Sequence, residues 1–181
     1  DGYDIKDYSQ EALRNAIGLV LQEPFLYHGT IASNIRMYHE ELTDEDIQEA
    51  AEFVDVADFI ESLPDGYDHP VTERGSTLST GQRQLLAFAR TIAAQPKILI
   101  LDEATANIDQ ETEELIQNSL KKMRQGRTTI AIAHRLSTIQ DATCIYVLEK
   151  GRIIEAGNHE ELIALGGTYK KMYDLQAGMM K

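Results

Sequence analysis

The chain has 181 residues and a formal net charge of -13, from 30 acidic residues against 17 Lys and Arg residues. The length indicates one domain, and a hydrophobic content of 43% is typical of a folded chain rather than a disordered one. A nucleic-acid or anionic-membrane partner is disfavoured, because both are bound through clusters of Lys and Arg. Cys144 is the only cysteine, which excludes an intramolecular disulfide and a cysteine-rich zinc site and suits a reducing compartment.

A short strand is predicted over 17–22, and an acidic helix follows it. The segment 37–73 contains 13 acidic residues and no Lys or Arg, so the rest of the chain balances at 17 acids and 17 bases. Thr43 and Asp46 predict a capping box at the start of one helix, which Pro64 would end. The apolar residues of this helix share one side, at Ile47, Ala50, Ala51, Val54 and Ala57. Its acidic residues therefore need only form a solvated face.

The remaining chain alternates between helical and strand patterns. The predicted elements are a helix over 79–95, a strand over 98–101, a helix over about 110–125, a strand over 129–133, a hairpin formed by 144–148 and 152–156, and a closing helix over 160–176. Both single strands are continuous apolar runs, as expected of parallel strands that are covered on both faces. The pattern predicts an α/β fold with a parallel sheet.

Polar side chains follow both of these strands. Asp102 and Glu103 come directly after the first apolar run, and His134 comes directly after the second. Ligands of open parallel sheets bind beyond the carboxyl ends of the strands. Neighbouring strand residues point to opposite sides, so one of Asp102 and Glu103 can hold a divalent cation while the other acts as a base toward water. A capping role for either residue remains an alternative.

A second candidate site lies at the start of the helix over 79–95. Its motif is Leu78-Ser79-Thr80-Gly81-Gln82. Unpaired backbone N–H groups and the helix dipole make such a start a ready anion site, and glycine permits close approach. The alternative is an ordinary cap in which Ser79 pairs with Gln82.

Taken in order, these motifs resemble the nucleotide-binding domain of ABC (ATP-binding cassette) transporters of the exporter type. The resemblance covers nearly the whole chain and implies an α/β P-loop NTPase core with a parallel sheet and a helical subdomain. Residues 37–95 would form the helical and signature subdomain, and 1–36 with 96–181 would form the ATPase core. The implied activity is ATP hydrolysis that drives substrate efflux through a transmembrane domain, at the cytoplasmic face of the cell membrane.

The resemblance also implies roles for single residues. Asp102 would organise Mg²⁺, Glu103 would polarise the water that attacks the γ-phosphate, and His134 would contact that phosphate. Gln22, at the position of the Q-loop glutamine, would reach the metal and the water and would face the transmembrane domain. The residues that serve ATP held by a second nucleotide-binding domain would be Ser79, Thr80, Gly81 and Gln82, and the residue linking the two domains would be Asp109.

Two departures from the family pattern matter. No Gly-Lys dipeptide occurs in the chain, so the P-loop that cradles phosphates is absent. The first residues, which lack an initiator Met, resemble the family segment that follows the P-loop helix, and this predicts an N-terminally truncated domain that cannot bind ATP normally by itself. Thr80 stands where the usual signature has glycine. With Glu103 intact, this resembles the member of a heterodimeric multidrug-type exporter that lends a degenerate signature to its partner's site.

Two other functions compete with this interpretation. The missing P-loop motivates a non-catalytic interaction module that docks to a transmembrane domain through the Gln22 loop and to a partner subunit through the signature. A DNA-repair ATPase of the same superfamily is disfavoured, because such proteins carry a long coiled coil after the Q-loop. Ser79 lies only 57 positions after Gln22, and many of the residues between them are acidic.

Overall fold

The structure, a computed structural model, describes residues 2–102, 110–133 and 135–178. The chain divides into two compact units, 1–132 and 133–181. The first unit contains α1 (Gln10–Ala16), β1 (Ile17–Val20), β2 (Gly29–Thr30), α2 (Ile31–Arg36), α3 (Asp44–Phe53), α4 (Ala57–Glu61), β3 (Pro70–Val71), α5 (Thr80–Ala93), β4 (Ile98–Asp102), α6 (Gln110–Arg124) and β5 (Thr128–Ile132). The second contains β6 (Ile145–Glu149), β7 (Arg152–Gly157), α7 (His159–Leu165) and α8 (Thr168–Gln176). Within the described ranges, no helix is long and apolar enough to cross a membrane.

A parallel three-stranded sheet in the order β1-β4-β5 organises the first unit. Ile100 of β4 lies opposite Leu19 of β1 and Ile130 of β5. The chain leaves β4, passes through α6 and returns as β5, which confirms the predicted strand-helix-strand unit and the α/β class. An antiparallel pair of two-residue strands, β2 and β3, joins the start of α2 to the segment before α5.

The core lies on one side of this sheet, where α5 packs. Leu99 of β4 is fully buried, and so is Phe88 in the middle of α5. The five α5 residues predicted to face the core are all buried, at Leu85, Leu86, Ala89, Ile92 and Ala93. The predicted helix over 79–95 is therefore confirmed within two residues. Gln95, with a φ of 47°, and Pro96 follow its end.

The other side of the sheet is exposed within the described part of the chain. Leu19 is 52% exposed, and Ile130 and Ile132 are 57% and 55% exposed. Ala131, on the opposite side of β5, is exposed as well. The prediction that the run over 129–133 is covered on both faces is therefore wrong for this chain, because β5 lies at an end of the sheet and no described layer covers it.

The acidic segment forms two helices instead of the single predicted one. The capping box at the start of α3 is confirmed, since Thr43 N–H donates to Asp46 Oδ2 at 2.8 Å and Asp46 N–H donates to Thr43 Oγ1 at 3.2 Å. The backbone bond from Thr43 lowers the pKa of the Asp46 carboxyl. The break falls at Asp55, whose φ of 58° is left-handed. Two side chains of α6 hold the break, because Ser119 Oγ donates to Val54 O at 2.9 Å and Lys122 Nζ contacts Asp55 at 2.6 Å.

The second unit is a hairpin followed by two short helices. The predicted hairpin is confirmed as β6 and β7. The prediction of a single closing helix over 160–176 is wrong. Gly166, with a φ of 70°, ends α7 before α8 begins. The Glu155 carboxylate of β7 accepts the backbone N–H groups of Tyr169 and Thr168, and these bonds lower its pKa. Glu155 therefore supplies acceptors that the first turn of α8 lacks.

Replacing Gly18 by Ala is expected to destabilise the first unit by about 1–3 kcal/mol, because an added Cβ overfills a packed core. That atom would lie 2.6 Å from Thr91 Cγ2 and 2.7 Å from Pro96 Cγ. Urea unfolding of the variant measures the change. Ala131→Val is the control, since it adds atoms to an exposed strand position and should change stability by less than about 0.5 kcal/mol. Equal stability of wild type and Gly18→Ala would contradict the packing described for β1 and α5.

Candidate functional site

Two of the predicted site residues lie at or just beyond the carboxyl ends of strands, at the same edge of the parallel sheet. Asp102 is the last residue of β4 and pairs with Ile132, the last residue of β5. Val20 ends β1 opposite Leu101, and Gln22 follows two residues later with an exposed side chain. The carboxyl ends of all three strands therefore meet at one edge, as the binding rule for parallel sheets requires.

Three predicted site residues, Glu103, Asp109 and His134, lie outside the described residues. Their roles stay predictions. No group of three or more metal-ligating side chains occurs within the described ranges. Asp102 nevertheless offers a carboxylate and Gln22 an amide oxygen at that sheet edge. Oxygen ligands are those that Mg²⁺ prefers, so this donor set fits the implied ion.

Ser79 caps α5 and forms a complete capping box with Gln82. Its Oγ accepts the Gln82 N–H at 3.1 Å, and Gln82 Oε1 accepts the Ser79 N–H at 2.8 Å. The ordinary capping interpretation is thus what the structure contains. The cap uses one lone pair of Oγ and leaves the O–H as a donor, so it remains compatible with binding an anion at the exposed helix start.

The neighbouring signature residues differ in exposure and in partners. Gly81 is buried, whereas Thr80 is exposed. Arg83, one turn along α5, donates to Thr80 Oγ1 at 3.1 Å and to the backbone oxygen of Leu78 at 2.5 Å. Arg83 was not among the predicted site residues, and it adds a positive charge to the same helix start. The signal was available, since Arg83 follows Thr80 by three residues and such positions are neighbours on a helix surface.

The segment after Gln22 is tied to the rest of the unit through its backbone. Leu26 is fully buried, and its carbonyl oxygen accepts the Arg74 N–H at 3.0 Å. The Phe25 carbonyl oxygen accepts a bond of 2.9 Å from Arg90 on α5. The loop between β1 and β2, which we call the Gln22 loop, therefore lies beside both the segment before α5 and α5 itself. Sequence reasoning also missed Arg90, although a cation among the buried residues of α5 was a visible signal.

Comparison with known proteins identifies the class to which this fold and site belong. The family model described as "ABC transporter" matches residues 1–106, so the chain belongs to the ABC transporter family. This finding confirms the resemblance and the predicted α/β ABC ATPase fold.

Named relatives and a solved structure support the assignment. The chain is 77% identical over 180 residues to a putative ABC transporter ATP-binding protein, exp8, of Streptococcus pneumoniae, covering 99% of this chain and 31% of that protein. It is 54% identical to YheH of Bacillus subtilis, a probable multidrug resistance ABC transporter ATP-binding/permease protein, covering 98% of this chain and 26% of that protein. A structure of a bacterial Atm1-family ABC exporter with ATP bound matches 98% of this chain and 31% of its own, with 44% identity and a TM-score of 0.88. The chain thus spans less than a third of these relatives.

Proposed function

We propose that this chain is part of the ATP-binding and hydrolysing domain of an exporter, in which ATP hydrolysis drives substrate efflux across a membrane. The observation that carries the proposal is the likeness of 98% of the chain to an exporter whose structure has ATP bound. The meeting of Asp102 and the Gln22 segment at one sheet edge supports it, because that edge is where open parallel sheets bind ligands.

Within that site, we assign separate tasks to the residues that follow the strands. Asp102 and Gln22 would hold Mg²⁺ through their oxygen atoms, and the ion would supply charge neutralisation for phosphoryl transfer. Glu103 takes a proton from the attacking water, and His134 donates a hydrogen bond to the γ-phosphate. These tasks need positioning and compensation of charge, which is how phosphoryl transfer is catalysed in general.

The proposed assembly contains two further partners. A second nucleotide-binding domain holds an ATP against Ser79, Thr80, Gly81 and Gln82 of this chain, and Asp109 contacts that domain. Thr80 in place of the usual glycine favours a heterodimer. The Gln22 loop docks to a transmembrane domain. The assembly would therefore lie at the cytoplasmic face of the cell membrane. Residues 37–95 then form the helical and signature subdomain, and 1–36 with 96–181 belong to the ATPase core.

A calorimetric titration of the 181-residue chain with Mg-ATP is expected to show no sub-millimolar binding. The physical reason is that no Gly-Lys dipeptide is present, so the phosphates lack the usual cradle of backbone N–H groups and a Lys. The intact exporter is the positive control. Sub-millimolar binding by the chain alone would refute the need for a P-loop. Absence of binding and turnover in the intact protein would instead favour the second candidate, a non-catalytic fragment that docks to a transmembrane domain and a partner subunit.

A further inference from the structure

Arg90 on α5 joins segments that are far apart in the sequence. Its Nε donates to the backbone oxygen of Asn34 at 2.7 Å, and its Nη2 donates to Asn34 Oδ1 at 3.0 Å. Its Nη1 donates to the backbone oxygen of Phe25 at 2.9 Å. The partners lie 56 and 65 positions earlier in the chain. One planar guanidinium therefore fixes the distance between α5, α2 and the segment after Gln22.

Asn34 completes this contact from the side of α2. It is only 2% exposed, and its Oδ1 accepts the Tyr27 N–H at 2.8 Å. Its Nδ2 donates to the backbone oxygens of Tyr27 at 2.9 Å and Thr30 at 3.0 Å. The amide thus pairs with both backbone groups of Tyr27, as a neighbouring strand would. We call Arg90 and Asn34 together the Arg90–Asn34 clamp.

The chemistry of Arg90 indicates that directed hydrogen bonds, rather than pairing with an opposite charge, explain its position beside the buried residues of α5. Its described partners are two backbone oxygens, one amide oxygen and the ring of Tyr27, whose centroid lies 5.8 Å from the guanidinium carbon. Burial lowers the pKa of Arg90, and interactions with Tyr27 and Tyr38 oppose that change; the group stays protonated, as arginine does in proteins. A cation withdrawn from water is costly unless hydrogen bonds compensate it. Lysine could not supply the same fork of donors.

The clamp connects the two parts of the candidate site that lie on different elements. Phe25 is three residues after Gln22, and Pro24 restricts the backbone between them. Arg90 lies on the same continuous helix that begins beside Ser79, since α5 runs from Thr80 to Ala93. A shift of α5 therefore moves the anchor of the Gln22 loop, and a shift of that loop pulls on α5.

We propose that Arg90 is a positioning residue that, with Asn34, holds the Gln22 loop at a set distance from the helix that Ser79 caps. This inference rests on the proposed function, because it concerns how the groups that serve this chain's own ATP are placed relative to the helix start that serves the ATP of the second domain. Arg90 reaches backbone atoms of the loop, so its loss changes the geometry of the loop and leaves the nucleotide contacts in place. Misplacing catalytic groups by about 1 Å can cost about 10²-fold in rate.

The test compares variants of the intact exporter in lipid nanodiscs. Arg90→Lys keeps the charge and loses the fork of donors. Arg127→Lys is the matched control, because Arg127 also donates to two backbone oxygens, of Pro96 at 3.1 Å and of Met123 at 2.9 Å, and neither of these partners belongs to the loop. We expect Arg90→Lys to speed amide hydrogen exchange in residues 25–30 at least about tenfold. We also expect it to lower kcat about tenfold, with KM for ATP changed less than about twofold. Arg127→Lys should leave the exchange rates, kcat and KM unchanged.

A second variant keeps the test decisive if Arg90→Lys folds poorly. Asn34→Asp keeps the oxygen that accepts from Arg90 and removes the donor to Tyr27 and Thr30, so faster exchange should be confined to residues 27–30. Unchanged hydrogen exchange in both variants, or an equal increase in exchange in Arg127→Lys, would refute the inference that the Arg90–Asn34 clamp holds the loop. Faster exchange with unchanged kcat would overturn the positioning role. A wild-type exporter without ATP turnover would defeat the proposed function, while the exchange measurement would still decide whether Arg90 anchors the loop.

Discussion

Replacing Glu103 by Gln in the intact exporter is expected to preserve Mg-ATP binding and to lower kcat by a factor of about 10² to 10⁴. Glu103 follows Asp102, which ends β4 at the edge where the three parallel strands end. Gln has almost the same shape as Glu but cannot accept a proton from water at neutral pH. Binding depends on other groups, so the change should fall on the chemical step. Nucleotide binding and steady-state phosphate release, measured on the same preparation, separate the two quantities.

The control for this experiment is Glu114→Gln, which removes one negative charge from an exposed position of α6. It should leave both ATP binding and kcat within about twofold of wild type, since exposed charges are screened by water and salt. Unchanged turnover in Glu103→Gln would refute the assignment of Glu103. A loss of binding together with turnover would show that Glu103 holds the nucleotide complex rather than activating water.

The parts of the fold that sequence could predict are those set by local patterns. The apolar run of β4 and the capping boxes at Thr43 and Ser79 depend on residues within a few positions, and the structure contains all three. The exposure of β5 was not predictable, because an apolar run indicates a strand without showing whether a layer covers it. The break at Asp55 was hidden too, since bonds from α6, 65 and 67 residues away, hold it.

The same distinction applies to the candidate site. Asp102 and Ser79 were predictable because strand ends and helix starts are marked by neighbouring residues. The Arg90–Asn34 clamp was not, because its two residues are far apart in the sequence: Arg90 reaches 56 and 65 positions back. Such contacts become visible only when the packing of α2 against α5 is known.

Two substitutions of Ser79, in the signature motif, are expected to rank in opposite order for stability and for activity. Ser79→Ala removes the acceptor for the Gln82 N–H and should destabilise the chain by about 1 kcal/mol. Ser79→Asp keeps an acceptor of equal capping strength, so stability should stay within about 0.5 kcal/mol of wild type. In the proposed dimer, however, Asp places a carboxylate against the phosphates of an ATP held by the partner domain, and like charges at close range repel.

We therefore expect Ser79→Asp to lower ATP turnover of the intact exporter by about 10- to 100-fold, a cost of about 1.4–2.7 kcal/mol, and Ser79→Ala to lower it less. Ser9→Ala and Ser9→Asp are matched controls, because the Ser9 side chain also caps a helix, α1, accepting the Ala12 N–H at 3.1 Å. Both should leave turnover unchanged. If Ser79 acted only as a cap, turnover would follow stability and Ser79→Ala would be the more impaired variant. The reverse order would show that the helix start faces a phosphate, because capping alone cannot distinguish Asp from Ser.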